Sequence, residues 1–286
     1  MKFAITLLLV ALTAVTALGQ SAPPTLRIVT DDPNLPSELF YGDIKVKPLR
    51  LRPGTNTRIT IDDNDFFIQQ HYIDFLGRMP EPAGFQGWMN VLNNCAPGNQ
   101  SCDHVEVSAG FFRSPEFQAR GYRIYRFYST AFHRIPLYAE FMPDRKRVSG
   151  FQSDAQLEAS LVAFINDFMA RSEFRNKYDA LTAPADYVNT LVNTAGVTLP
   201  NKQALIDGLT AGTMTRAQVL RTIAESNEVY NKYYNEAFVI MQYHGYLHRD
   251  ADISYLNWIQ TMNQNGGDYR VMINGFVNSL EYRNRF

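Results

Sequence analysis

Several groups of side chains in this sequence have the type and spacing for chemistry. His244 and His248 stand one helical turn apart, the spacing that sets two imidazoles on one helix face for a metal ion, and Asp250 and Asp252 follow. A zinc hydrolase of that pattern needs a Glu between the histidines, and none is present; His248 instead occupies a slot that recurs at corners elsewhere in the chain. Asp62, Asp63 and Asp65 could offer oxygens to calcium. That stretch lacks the Gly and terminal Glu of an EF-hand loop, and it reads equally as the acidic start of a helix. Cys95 and Cys102 are the two cysteines of the chain. With Pro and Gly between them, no CxxC spacing and no further thiol, they read as a disulfide in an exported protein rather than a redox pair or half a metal site. The segment Gly77-Arg78-Met79-Pro80-Glu81-Pro82 poses the sharpest choice, between a reactive arginine loop and a corner joining two helices.

Patterns for covalent or phosphate chemistry are missing: there is no GxSxG elbow and no Gly-rich phosphate loop. Paired carboxylates for glycoside hydrolysis stay open, because any two acids can converge in a fold. The acids available, however, fall at helix starts and corners. Lys and Arg total 27 against 28 Asp and Glu, with no basic run, so the charge pattern does not point to nucleic acid or an anionic membrane. Aromatic residues make up 13% of the chain, and the runs 122–128 and 229–238 are dense in tyrosine. Their spacing favours packing between helices, with a carbohydrate- or protein-binding face as the alternative.

These residues need elements to position them. Lys2, the apolar run 3–18 and the small residues before Gln20 form a signal peptide over residues 1–19, which predicts a secreted or extracytoplasmic protein, free or held at the cell surface. No later segment reads as a membrane span. Residues 20–61 read as a linker with one or two short strands, from the alternation of Ile44 and Val46, Leu49 and Leu51, and Ile59 and Ile61. From residue 62 the period becomes helical and the sequence resembles itself. The segments 111–118, 168–175, 222–229 and 276–283 share an apolar residue just after an acid, at intervals of about 55 residues. Tyr72, Tyr128 and Tyr243 align ahead of Arg78, Arg134 and Arg249; a third unit keeps Tyr187 but has no arginine at its turn. The expected fold is therefore mainly α, a helical repeat or bundle of four units of about 55 residues (about 62–117, 118–174, 175–229 and 230–286), with a short N-terminal extended or β arm. Ser114 and Ser279 are expected to cap helices, and Arg78, Arg134 and Arg249 to pair with Glu116, Glu173 and Glu281 as corner clamps.

The stretch FIQQHYIDFLGRMPEPAGFQGWMNVLNNC, followed by VSAGFFRSPEFQ, resembles the bacterial domain of unknown function 4214. Tyr72, Asp74, Leu76, Gly77, Arg78, Pro80, Gly84 and Trp88, then Phe111, Ser114, Glu116 and Phe117, carry the likeness. The cysteine pair and long helical continuation are similar to secreted acidobacterial versions, and ITIDDND (59–65) resembles the closing strand of a Calx-beta module. The resemblance covers about 62–286. It implies an all-helical domain, distantly similar to phycobilisome linker domains, in exported or surface-associated proteins, with no established activity and no catalytic residue or cofactor to carry over. The last copy departs from the pattern, with His248 for Gly and Asp250-Ala251-Asp252 for the proline turn. The expected function is a non-catalytic interaction or scaffolding module for an extracellular protein or envelope glycan. The alternatives are a secreted enzyme acting on cell-surface polysaccharide through paired carboxylates, and a calcium-stabilised adhesion module.

Overall fold

The structure, a computed structural model, describes residues 26–29, 38–41, 44–46, 52, 57, 59–150, 153–264 and 269–286. The expected signal peptide lies outside the described residues, as do Leu49 and Leu51. Three strands, β1 (Leu26–Val29), β2 (Glu38–Tyr41) and β3 (Ile44–Val46), pair antiparallel in that order, with Leu26 opposite Tyr41 and Tyr41 opposite Ile44. Ile59 and Ile61 form no strand and lead through a turn into the helices.

The rest is helical. Helix α1 (Asn64–His71) runs on as a π-helical turn, Tyr72–Leu76, and α2 (Pro82–Asn93), α3 (His104–Arg113), α4 (Pro115–Ala119) and α5 (Gly121–Phe132) follow. Next come α6 (Tyr138–Arg147), α7 (Asp154–Ala170), α8 (Ser172–Tyr178), α9 (Pro184–Ala195), α10 (Lys202–Thr210) and α11 (Arg216–Ala224). The chain closes with α12 (Asn227–Gln242), which also runs into a π-helical turn, Tyr243–Leu247, then α13 (Tyr255–Gln264), α14 (Arg270–Val277) and α15 (Leu280–Arg283). The starts follow local rules. Ser114, Ser226 and Ser279 each accept the main-chain N–H three residues on, and Pro115 needs no hydrogen-bond partner at the first helical position.

Sequence periodicity reads 115–132 as one helix, and the structure breaks it at Arg120 (φ −123°, ψ −82°). The break turns Gly121 onto the Phe117 ring, where a Cβ would lie 2.6 Å from a ring carbon, so only glycine fits. Freed from α4, helix α5 becomes the centre of the body. It packs on α6, α9, α11 and α12, and Tyr122, Ile124, Tyr125, Phe127, Tyr128 and Ala131 are all sealed from solvent. The tyrosine-rich runs meet here: Tyr122 lies 5.1 Å from Tyr230 and 5.8 Å from Tyr234, ring centre to ring centre, and its hydroxyl donates to the Tyr230 carbonyl. Most of these rings are core, not a displayed face. Arg126 is buried between the Tyr122 and Tyr230 rings as a cation over π-faces.

Two further links tie the body together. The Cys95–Cys102 disulfide closes the connection between α2 and α3. The last helix returns to the first, with Arg283 bridging to Asp62, Phe286 set edge-on against Phe66 at 5.3 Å, and Arg285 reaching Asp74. Among the described residues no helix is long and apolar enough to cross a membrane.

Candidate functional site

Arg78, Arg134 and Arg249 each sit one residue past a left-handed helix end. Those ends are Gly77 (φ 67°), His133 (φ 54°) and His248 (φ 53°). At each corner the arginine's Nε and one terminal nitrogen grip a glutamate in a fork. The pairs are Arg78 with Glu116 (Nε 2.8 Å), Arg134 with Glu173 (2.9 Å) and Arg249 with Glu281 (2.6 Å). The remaining nitrogen donates to the carbonyl of the next residue, Met79, Ile135 or Asp250. A second acid closes the cage: Glu81, Glu140 or Asp252. Each guanidinium also lies over a tyrosine, Tyr72, Tyr128 or Tyr243, at 4.9–5.5 Å. The opening choice is thus answered by geometry, because every donor edge of Arg78 is engaged in holding its corner. At the second corner α8 starts after Arg171, not serine, and that side chain turns inward to Asp144 and the Tyr128 hydroxyl.

A further regularity escapes a motif search. At the four helix ends whose cap residue is itself left-handed, Gly77, His133, Gly196 and His248, the last carbonyls receive a cation. Lys177 donates to Ala131, Lys232 to Ala195 and Gly196, and Arg285 to Gly245 and Tyr246. Arg145 donates to Asp74 and Phe75, both at 2.8 Å. This matches the negative end of a helix dipole with positive charge. The signal was present, since Lys177, Lys232 and Arg285 each stand four residues after the acid of a capping segment. The end at Gly196 (φ 62°) lacks the arginine yet keeps its lysine, Lys232.

The deepest polar cluster centres on Asp74, whose side chain is fully buried in the π-helical turn after α1. His248 Nε2 lies 3.0 Å from its Oδ1, Arg285 donates to both oxygens, and Gln70 donates at 3.0 Å. Burial by itself would push the carboxyl up; the Arg285 charge and the His248 bond outweigh it and hold the group down at about 2. Nearby, His71 Nδ1 donates to the Phe67 carbonyl at 2.8 Å, so Nε2 is left to accept from Ser108 or Tyr246. Burial lowers His71 to about 4, so the ring is neutral at pH 7. Ser108 and His71 are the nearest thing to a nucleophile and base, but both are sealed from solvent and no substrate can reach them.

The other candidates have other partners. Asp63 and Asp65 share Arg52, and Asp62 faces Arg283. A calcium ion here would have to displace two guanidinium groups. His244 does not join His248 as a ligand: it is buried, its Nδ1 has no hydrogen-bond partner, and burial pushes it down to about 4. Among the described residues no three His, Cys, Asp or Glu side chains gather as a metal set would. Glu236 is an acid whose carboxyl burial pushes up, and it accepts from the Tyr125 hydroxyl at 2.8 Å without a second acid as its partner. Beside the Asp74 cluster lies a cavity of about 360 Å³, lined by Tyr138, Met142, Arg145, Lys146 and His248.

Residues 56–121 match the family described as a domain of unknown function, DUF4214. The match contains the first corner whole, from Tyr72 through Arg78 to Glu116. No curated protein and no solved structure matches the chain.

Proposed function

We propose that this protein is a non-catalytic, exported interaction module, a stack of four related helical units that holds a partner at or outside the cell envelope. The observation that carries the reading is the use of the acids. Glu116, Glu173 and Glu281, together with Glu81, Glu140 and Asp252, are each engaged by a corner arginine. A glycosidase of the paired-carboxylate kind needs one acid held up and a second nearby and ionised; the corner acids are instead spent on architecture. The four helix ends with their cations support the repeat. The disulfide fits an oxidising compartment. The likeness of 59–65 to a Calx-beta strand and of the whole to acidobacterial versions belongs to this same reading, in which the helical body follows a short arm in a surface protein.

The test is co-sedimentation of residues 20–286 with isolated envelope and polysaccharide fractions, with released sugar assayed in the same tubes. Saturable pelleting without sugar release is expected. Sugar release would turn the reading to a polysaccharide-cleaving enzyme. A melting temperature that rises with calcium and falls with chelator would turn it to a calcium-stabilised adhesion module.

A further inference from the structure

Arg145 differs from the other cations on the helix ends. Arg285 is charge-matched by Asp74. Lys177 and Lys232 are partly solvated. Arg145 is 4% exposed, and its hydrogen bonds are those of one terminal nitrogen to the Asp74 and Phe75 carbonyls. Its Nε is buried with no partner. The nearby Asp74 carboxylate is directed at Arg285 and His248 instead. Leaving a buried guanidinium without a counter-ion is unfavourable, since main-chain dipoles offset only part of the lost hydration. The buried side chain does border a cavity. Its other terminal nitrogen lies beside Gly77, 3.3 Å from where a Cβ would stand, and both residues line the same cavity. The same side chain lines the cavity of about 360 Å³, with Lys146 adding charge and Tyr138, Met142 and Pro143 supplying apolar wall. That volume suits a small ring or a terminal sugar.

We propose that this cavity is an anion site, in which Arg145 receives an oxyanion and Tyr138 and Met142 lie along the ring that bears it. A planar guanidinium whose second terminal nitrogen makes no hydrogen bond among the described residues matches a carboxylate or phosphate. On an envelope glycan the group is an acidic sugar; the same chemistry is offered by free phosphate. The assignment deepens the module reading by naming the group on the partner, and it rests on that reading only for the source of the anion.

The test is titration of the full chain with glucuronate, inorganic phosphate and neutral glucose, followed by calorimetry and by the arginine Nε–H resonances. Saturable glucuronate binding with Kd of about 1 mM or below is expected. One arginine Nε–H signal, absent in Arg145→Lys, should move with it, and glucose should not bind. Tyr138→Ala should weaken glucuronate about tenfold and serves if Arg145→Lys does not fold. Equal affinity for phosphate and glucuronate, unchanged in Tyr138→Ala, supports the oxyanion site and assigns it to free phosphate. Absence of saturable binding by either anion overturns the site; pelleting with envelope would then leave the module reading standing. Glucuronate binding without pelleting keeps the site and removes the envelope reading.

Discussion

The first and last arginine corners make the same bonds in different surroundings. At the first, the left-handed residue is Gly77, and Arg78, 8% exposed, holds Glu81 and Glu116. At the last, the left-handed residue is His248, and Arg249, with 37% of its side chain exposed, holds acids that are themselves about half exposed. Distances are alike, but water screens the second set more than the first. The histidine alters the balance again. A side chain at φ 53° costs about 1 kcal/mol, and the bond from that ring to buried Asp74 offsets it. His133 does likewise, reaching the Tyr233 hydroxyl at 3.0 Å. Corners of one shape can therefore differ in how much the arginine contributes, with a histidine cap bearing its own strain through a bond of its own.

Acid should give the largest effect and probes both corners together. His71 lies under the first and His244 beside the last. In the folded chain neither takes a proton until about pH 4, whereas in the unfolded chain each does near 6.5. Their contribution is complete above about pH 6.5 and is lost as pH falls toward 4, up to about 3 kcal/mol for each ring. Urea midpoints from pH 7.5 to 4 measure it, and His71→Gln should remove about half of the slope. A flat profile would mean the rings are not sealed.

Asp74→Ala comes next. It strands Arg285 and His248 and should destabilise by about 3–5 kcal/mol in denaturant titration. A loss under about 1 kcal/mol would dissolve the idea that the last corner is anchored through its cap. Third, Arg78→Met should cost about 2–3 kcal/mol, and Arg249→Met about 1 kcal/mol or less. Equal losses would erase the contrast between the corners. Smallest is the exchange of caps. Gly77→Ala should cost about 1–2 kcal/mol by its left-handed conformation, with its methyl also crowding Ser149 and Arg145. His248→Gly should cost less, because relief of the same strain offsets the lost bond to Asp74.

What was legible in the sequence was what lies close along it. Arg78, Ser114 and Glu116 fall within one recurring segment pair, so spacing alone suggested cap and clamp, and the cysteine pair and helical class were readable for the same reason. The Asp74 cluster was not, because His248 and Arg285 stand 174 and 211 residues away. One hint was available: Asp74 interrupts an otherwise apolar run, Tyr72 to Leu76, and a charge there must find a partner inside. The break at Arg120 was also hidden, since Gly121 is required by the Phe117 ring and not by any local turn signal. The tyrosines of α5 show the reverse case. Helical spacing placed them in the core, and the structure surrounds the helix on every side.

The pairing of Arg283 with Asp62 and of Phe286 with Phe66 brings the two ends of the helical body together. A pull that separates those ends acts first on this one seam, peeling α15 from α1, and reaches Asp74 through Arg285 before it reaches the helices around α5. The helical body is thus a clasp that opens first where its own two ends meet.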